Sequence, residues 1–221
     1  MPISINEIFV GIDGEVNRFG QGGLTTFIRF NGCNLRCSYC DTTRAQKISD
    51  DTITIEDILK QIKTQKVTIT GGEPLCQMYE FKELLRRLLN PFGNCYKEFG
   101  DCYKVSIETN GSIEIPFDEF AYAGPNIGWV IDYKFEYAKD MIFSNFYDAG
   151  HNDWIKFVIN SKKDYARAVR GADQFHLNSA ANIAFGFTNR INPQWLVDRM
   201  VEDNLYFVTL NCQIHKYLKL K

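Results

Sequence analysis

The chain lacks an apolar run longer than a strand, an excess of charge of either sign, and a second closely spaced cysteine pair. Each absence excludes something. Without about 20 consecutive apolar residues there is no candidate membrane helix. The start MPISINEIFV carries neither the basic flank nor the apolar stretch of a secretory signal. Lys and Arg total 25 against 27 Asp and Glu, so no basic footprint for nucleic acid exists. A cytoplasmic protein with no membrane or nucleic-acid partner is expected. Seven cysteines without a signal then point to reduced thiols or metal rather than a disulfide framework. No repeat or low-complexity linker interrupts the 221 residues, and 45% are hydrophobic, enough to build a core. One domain over 1–221 is expected.

What is present is an alternation of β-branched runs and helical patterns. Strands are expected at 7–12, 24–32, 66–70, 103–111, 126–134, 153–160 and 205–211. Thr54 with Asp57 gives a capping signature ahead of Ile55, Ile58, Leu59 and Ile62. Met78, Phe81, Leu84, Leu85 and Leu88 mark one helix face. Ser161 with Asp164 caps a helix to about Arg170, and Asn192-Pro193 starts another. The segment 90–101 reads as a surface excursion. Such alternation predicts an α/β fold with a parallel sheet. About six strands suit a partial, TIM-like (β/α)6 barrel better than the full eight-fold one of ~250 residues.

NGCNLRCSYCDT (31–42) places Cys33, Cys37 and Cys40 on the loop after the first barrel-type strand, on the rim where barrel active sites collect. A structural zinc site takes four closed ligands, and a distant Cys or His would have to complete it here. Iron–sulfur clusters also take thiolates, usually four. Three would leave one iron open to a substrate or cofactor.

The motif C-x-x-x-C-x-x-C, with Tyr39 before its last cysteine, resembles the signature of the radical S-adenosylmethionine (SAM) superfamily. TGGEP (70–74) is similar to that superfamily's glycine-glycine-glutamate motif. INEIFVGIDGEV (5–16), FIRFNGCNLRCSYCDT (27–42), IETNGS (107–112), IKFVI (155–159) and CQIHKYL (212–218) together resemble 7-carboxy-7-deazaguanine synthases. That resemblance implies a 4Fe-4S cluster held by Cys33, Cys37 and Cys40, with SAM on the open iron. One electron would generate a 5′-deoxyadenosyl radical, and the cofactor would carry the hard chemistry. It implies conversion of 6-carboxy-5,6,7,8-tetrahydropterin to 7-carboxy-7-deazaguanine with loss of ammonia, in deazapurine and queuosine biosynthesis. It also implies Mg2+, a homodimer, and a one-electron donor such as a flavodoxin or ferredoxin.

Residue by residue, the resemblance implies that Thr42 helps ligate Mg2+, a cation suited to oxygen. It assigns Tyr39, Cys40, Asp41, Gly71, Gly72 and Glu73 to SAM, and Asp132, Tyr133 and Lys134 by position. Ile12, Asp13, Gly14, Glu15, Arg29, Thr70, Glu108, Gln213 and His215 fall to the substrate, with Arg29 on its carboxylate. The family commonly has Gln-Gly-Glu-Gly where this chain has Asp13-Gly14-Glu15-Val16. Cys76, Cys95, Cys102 and Cys212 are read as ordinary thiols. Two other readings stay open: a radical activase of a glycyl-radical enzyme, which acts on a protein, and a non-catalytic zinc-binding module.

Overall fold

The structure, a computed structural model, describes residues 2–90 and 103–220. All but Asn90 of the expected excursion lies outside them, as do Cys95 and Cys102. The strands are β1 (Pro2–Ile3), β2 (Ile5–Ile12), β3 (Leu24–Phe30), β4 (Ile53–Thr54), β5 (Lys66–Gly71), β6 (Lys104–Thr109), β7 (Ile127–Tyr133), β8 (Trp154–Ile159), β9 (Asn182–Phe187) and β10 (Val208–Asn211). The helices are α1 (Ile55–Gln61), α2 (Met78–Leu89), α3 (Phe117–Phe120), α4 (Phe143–Tyr147), α5 (Lys162–Asn178), α6 (Pro193–Glu202) and α7 (Ile214–Tyr217).

One sheet has the order β10-β9-β8-β7-β6-β5-β3-β2. Every neighbouring pair from β3 to β10 is parallel, and β2 lies antiparallel on the β3 edge. Helices follow the parallel strands, which makes an α/β fold of the open-barrel kind. The count departs from the six expected: β9 adds a parallel strand where none was read, and β10 pairs with it. β1 and β4 form a separate two-stranded ribbon.

Local chemistry sets the helix starts. Thr54 Oγ1 accepts the Asp57 N–H at 3.2 Å and donates to the Asp57 carboxylate at 2.8 Å. Ser161 and Asp164 repeat the arrangement at α5. Asn192 caps α6, accepting from Gln194 N at 2.8 Å, with Pro193 in the first turn. α5 runs past Arg170 to Asn178, and Gly171 within it is a packing glycine: a Cβ there would press the Phe157 ring at 2.8 Å.

The two faces of the sheet differ in chemistry. Ile28, Val67, Ile69, Val105, Ile107, Ile131, Ile155, Phe157, Ile183 and Phe185 turn outward into the core shared with α1, α2 and α5. Each such side chain contributes about 1.5–3 kcal/mol on burial. The alternate positions carry polar groups, among them Thr25, Thr68, Ser106 and Lys156, all under 5% exposed. This polar face borders the cavity.

Among the described residues, β2 and β10 do not pair, so no backbone ladder closes the ring. The gap is bridged at its rim. Val16 N donates to Asn211 Oδ1 at 2.8 Å, Ile214 N to Gly14 O at 3.2 Å, and Gln21 Nε2 to Cys212 O at 2.9 Å.

Candidate active site

A cavity of about 820 Å3 opens where the parallel strands end. The loop after β3 brings Cys33, Cys37 and Cys40 to its wall. That loop is tied from several sides: Arg36 Nη1 donates to the Cys33 and Leu35 carbonyls at 2.6 and 2.7 Å. Arg36 N donates to Tyr137 Oη at 3.1 Å, and Ser38 N to Glu136 at 2.9 Å. Burial pushes the Cys33 and Cys37 thiols upward, and Lys134 partly offsets this at Cys37. Among the described residues no three His, Cys, Asp or Glu converge on a single-ion position. The three thiols line the same cavity.

The end of β5 approaches this loop closely. Gly72 N donates to Phe30 O at 3.1 Å and Glu73 N to Gly32 O at 2.7 Å. A Cβ on Gly72 would run into the Gly32 and Ala45 carbonyls, and Gly71 has φ +146 against the Phe30 backbone. Only glycine leaves this space.

Glu73 departs from expectation. Its carboxylate is fully buried, away from the cavity lining. It accepts from Leu75 N at 3.0 Å, Asn110 N at 2.6 Å and Thr109 Oγ1 at 2.9 Å. Burial pushes it up to about 7 against these hydrogen bonds. Its first duty is to anchor the glycine turn. Tyr133 departs too. Alternation along β7 sends Asp132 and Lys134 to the cavity and the Tyr133 ring outward among Phe135, Phe146 and Phe157.

The remaining expected residues line one space: Tyr39, Asp41, Thr42, Gly71, Gly72, Asp132 and Lys134 near the thiols, and Ile12, Asp13, Gly14, Glu15, Arg29, Thr70, Glu108, Gln213 and His215 beyond. Tyr39 lies under Lys134 Nζ at 5.8 Å, and its buried hydroxyl has no hydrogen-bond partner. Asp132 Oδ1 has none either, only a loose 3.3 Å contact with Lys156. Thr42 Oγ1 donates to Asp41 at 3.0 Å, and Lys216 holds the other Asp41 oxygen at 2.6 Å. Burial opposes the Asp41 charge, yet Lys216 brings it down to about 2.

Arg29 donates through Nε to Glu7 at 2.9 Å, and Arg44 shares that carboxylate. Asp13 is 1% exposed and already engaged, by Lys66 at 3.0 Å and Thr68 Oγ1 at 2.9 Å. Thr70 Oγ1 donates to Glu108 at 2.6 Å. Burial, with Glu15 nearby, pushes Glu108 up to about 7. Glu15 takes Gln213 Nε2 and the Lys156 ammonium. Burial works against its charge, but Lys156 brings it down to about 2. His215 packs on Gly14, and burial lowers its pKa.

Lys156 and Lys66 carry this charge network and were read only as strand residues. A lysine in the middle of the apolar run WIKFVI is the signal that marks the first of them.

A mostly parallel sheet with a three-thiol loop after its first parallel strand, and a glycine turn after the next, defines a radical SAM domain. Residues 27–178 match the family model of the Radical SAM superfamily. The 7-carboxy-7-deazaguanine synthase of Clostridium acetobutylicum is 37% identical over 99% of this chain and 96% of its own length. That of Aquifex aeolicus is 32% identical, covering 99% and 94%. In fold, the crystal structure of QueE from Escherichia coli is similar with a TM-score of 0.70, at 19% identity, over 96% of this chain and 93% of that one. The chain belongs to the radical SAM superfamily and, within it, to the 7-carboxy-7-deazaguanine synthase family.

Proposed function

We propose that this chain, acting as one domain, converts 6-carboxy-5,6,7,8-tetrahydropterin to 7-carboxy-7-deazaguanine with loss of ammonia. The observation that carries the reading is the joining of two residue sets in one cavity, the thiol loop with its glycine turn and the polar group around Glu15, Arg29, Thr70 and Glu108. Likeness to synthases of that name along the whole chain supports it.

The residues fit a cluster with SAM. Gly71 and Gly72 line the cavity beside the thiols, and the unpartnered Tyr39 hydroxyl and Asp132 oxygen have acceptor and donor capacity to spare. In this reading Cys33, Cys37 and Cys40 hold a 4Fe-4S cluster, while Tyr39, Cys40, Asp41, Gly71, Gly72, Asp132 and Lys134 receive SAM. A cluster bound there would supply one-electron reducing power to SAM, the source of radical chemistry. Glu73 acts behind Gly72 by fixing the turn that carries it.

The substrate end is polar for a polar ring. Arg29, oriented by Glu7, meets a carboxylate. Thr70, Glu108, Glu15, Gln213 and His215 offer both donors and acceptors to the pterin edge, and Ile12, Asp13 and Gly14 supply the floor. Thr42 contributes an oxygen to Mg2+. A cytoplasmic setting, a homodimer and a flavodoxin or ferredoxin as electron donor complete the proposal; no helix among the described residues is long and apolar enough to cross a membrane.

The test is anaerobic reconstitution with iron and sulfide, followed by assay with the carboxypterin, SAM, reductant and Mg2+. Product formation stimulated by Mg2+, without net consumption of SAM, is expected. Formation of 5′-deoxyadenosine with the pterin left intact would refute the substrate assignment.

A further inference from the structure

Beside the Asp41–Lys216 pair, four carboxyl groups and three lysines form one set along the cavity and its floor. Asp13 pairs with Lys66 at 3.0 Å, Asp132 with Lys134 at 2.9 Å, and Glu15 with Lys156. Glu108 has the Thr70 hydroxyl and, among the described residues, no ion-pair partner of its own. Lys156 stands at the centre of the set. It reaches Glu15 from the loop after β2 and Asp132 on β7 at 3.3 Å, and it lies close enough to Glu108 on β6 to feel its charge. Its side chain is 5% exposed. A lysine so buried is costly to keep charged unless carboxylates surround it, and here three do.

The partners of Lys156 belong to different groups of the cavity wall. Asp132 belongs with Tyr39, Lys134 and the thiol loop. Glu15 belongs with Gln213, Asn211 and His215, across the gap between β2 and β10. We propose that Lys156 is a positioning residue for this reaction, its ammonium fixing Glu15 at the substrate end and Asp132 at the cofactor end in one relative register. The inference rests on the function proposed above.

Without that charge, Asp132 keeps Lys134 at 2.9 Å, while Glu15 and Glu108 lose the cation they share, with Asp13 and Asp41 among the charges around them. Like charges so placed turn apart or take up protons, and the two ends lose their common register.

The experiment compares wild-type with Lys156→Met, Lys156→Arg and Lys156→Ala, all reconstituted anaerobically. Product formation is expected to fall about 100-fold in Lys156→Met, the scale of a small misplacement of reacting groups. SAM cleavage should fall far less, so that 5′-deoxyadenosine accumulates per product formed, and pterin binding, followed by the ligand's fluorescence, should weaken. Lys156→Arg should recover part of the coupling, and ethylamine should restore turnover to Lys156→Ala. Near-wild-type turnover in Lys156→Met overturns the inference. So does an equal loss of both products with no recovery by arginine or amine, which marks a purely structural lysine. A wild-type protein that cleaves SAM but leaves the pterin intact overturns the functional reading first, before any variant is compared, and this inference with it.

Discussion

The Glu73 carboxylate accepts the backbone N–H of Asn110 at 2.6 Å, so the end of β5 is bound to the end of β6 through one buried side chain. The same group accepts Leu75 N and the Thr109 hydroxyl. A motif residue here works by holding two strand ends, and the glycines it steadies present their backbone to the cavity.

Glu73→Gln should therefore weaken the fold as well as the site. An amide nitrogen must replace one acceptor and meets a backbone donor instead. The expected loss is about 1–3 kcal/mol, the cost of an unsatisfied buried group, read by urea unfolding. SAM affinity of the reconstituted variant should fall with it.

Gly72→Ala tests the cradle. Its methyl group would collide with the Gly32 and Ala45 carbonyls, both backbone and unable to swing aside. Overpacking of this kind costs about 1–3 kcal/mol, and the displaced loop carries Cys33. Iron and sulfide content after reconstitution should drop, and SAM binding should be lost before overall folding is.

Two cysteine variants separate the thiols. Cys37→Ala should abolish the brown cluster absorbance. Cys76→Ala should leave it intact, because Cys76 is absent from the cavity wall and its sulfur donates to Asn34 Oδ1 at 3.9 Å. Equal iron content in both variants would contradict the assignment of the three ligands.

Glu108 gives a pH signature. Burial, and Glu15 beside it, hold its pKa near 7 against an ordinary 4.5. The folded state thus binds its proton more tightly than the unfolded chain does. This stabilisation is full below about pH 4.5 and is lost as the pH rises to about 7. Glu108→Gln mimics the protonated form and should flatten the decline in that window, by up to ~1.4 kcal/mol per pH unit. Urea midpoints from pH 5 to 8 measure it; unchanged slopes would refute the account.

Much of this was legible in the residues. The caps at Thr54, Ser161 and Asn192 are local chemistry and form where their side chains dictate. The cysteine loop and glycine turn lie at the strand ends that their flanks imply. What escaped depends on neighbours. The helix expected to end near Arg170 runs on to Asn178, with Gly171 inside it making room for Phe157. β9, NIAFGF, is short and bracketed by polar residues, and its pairing with β8 and β10 supplies the ladder that makes it a strand. Period-two alternation should have separated Tyr133 from Asp132 and Lys134. Glu73 could not be placed from its motif, because the donors that claim it lie 36 and 37 residues away, at Thr109 and Asn110.

The gap between β2 and β10 has a mechanical meaning. In a closed barrel, widening the interior breaks rungs of backbone pairing. Here the two margins can part at the expense of a few polar contacts, chiefly those of Val16, Gln21 and Glu15 with Asn211, Cys212 and Gln213. The sheet behaves as a clasped basket: its ribs stay whole while the clasp, set beside the cavity mouth, is the cheapest part to undo.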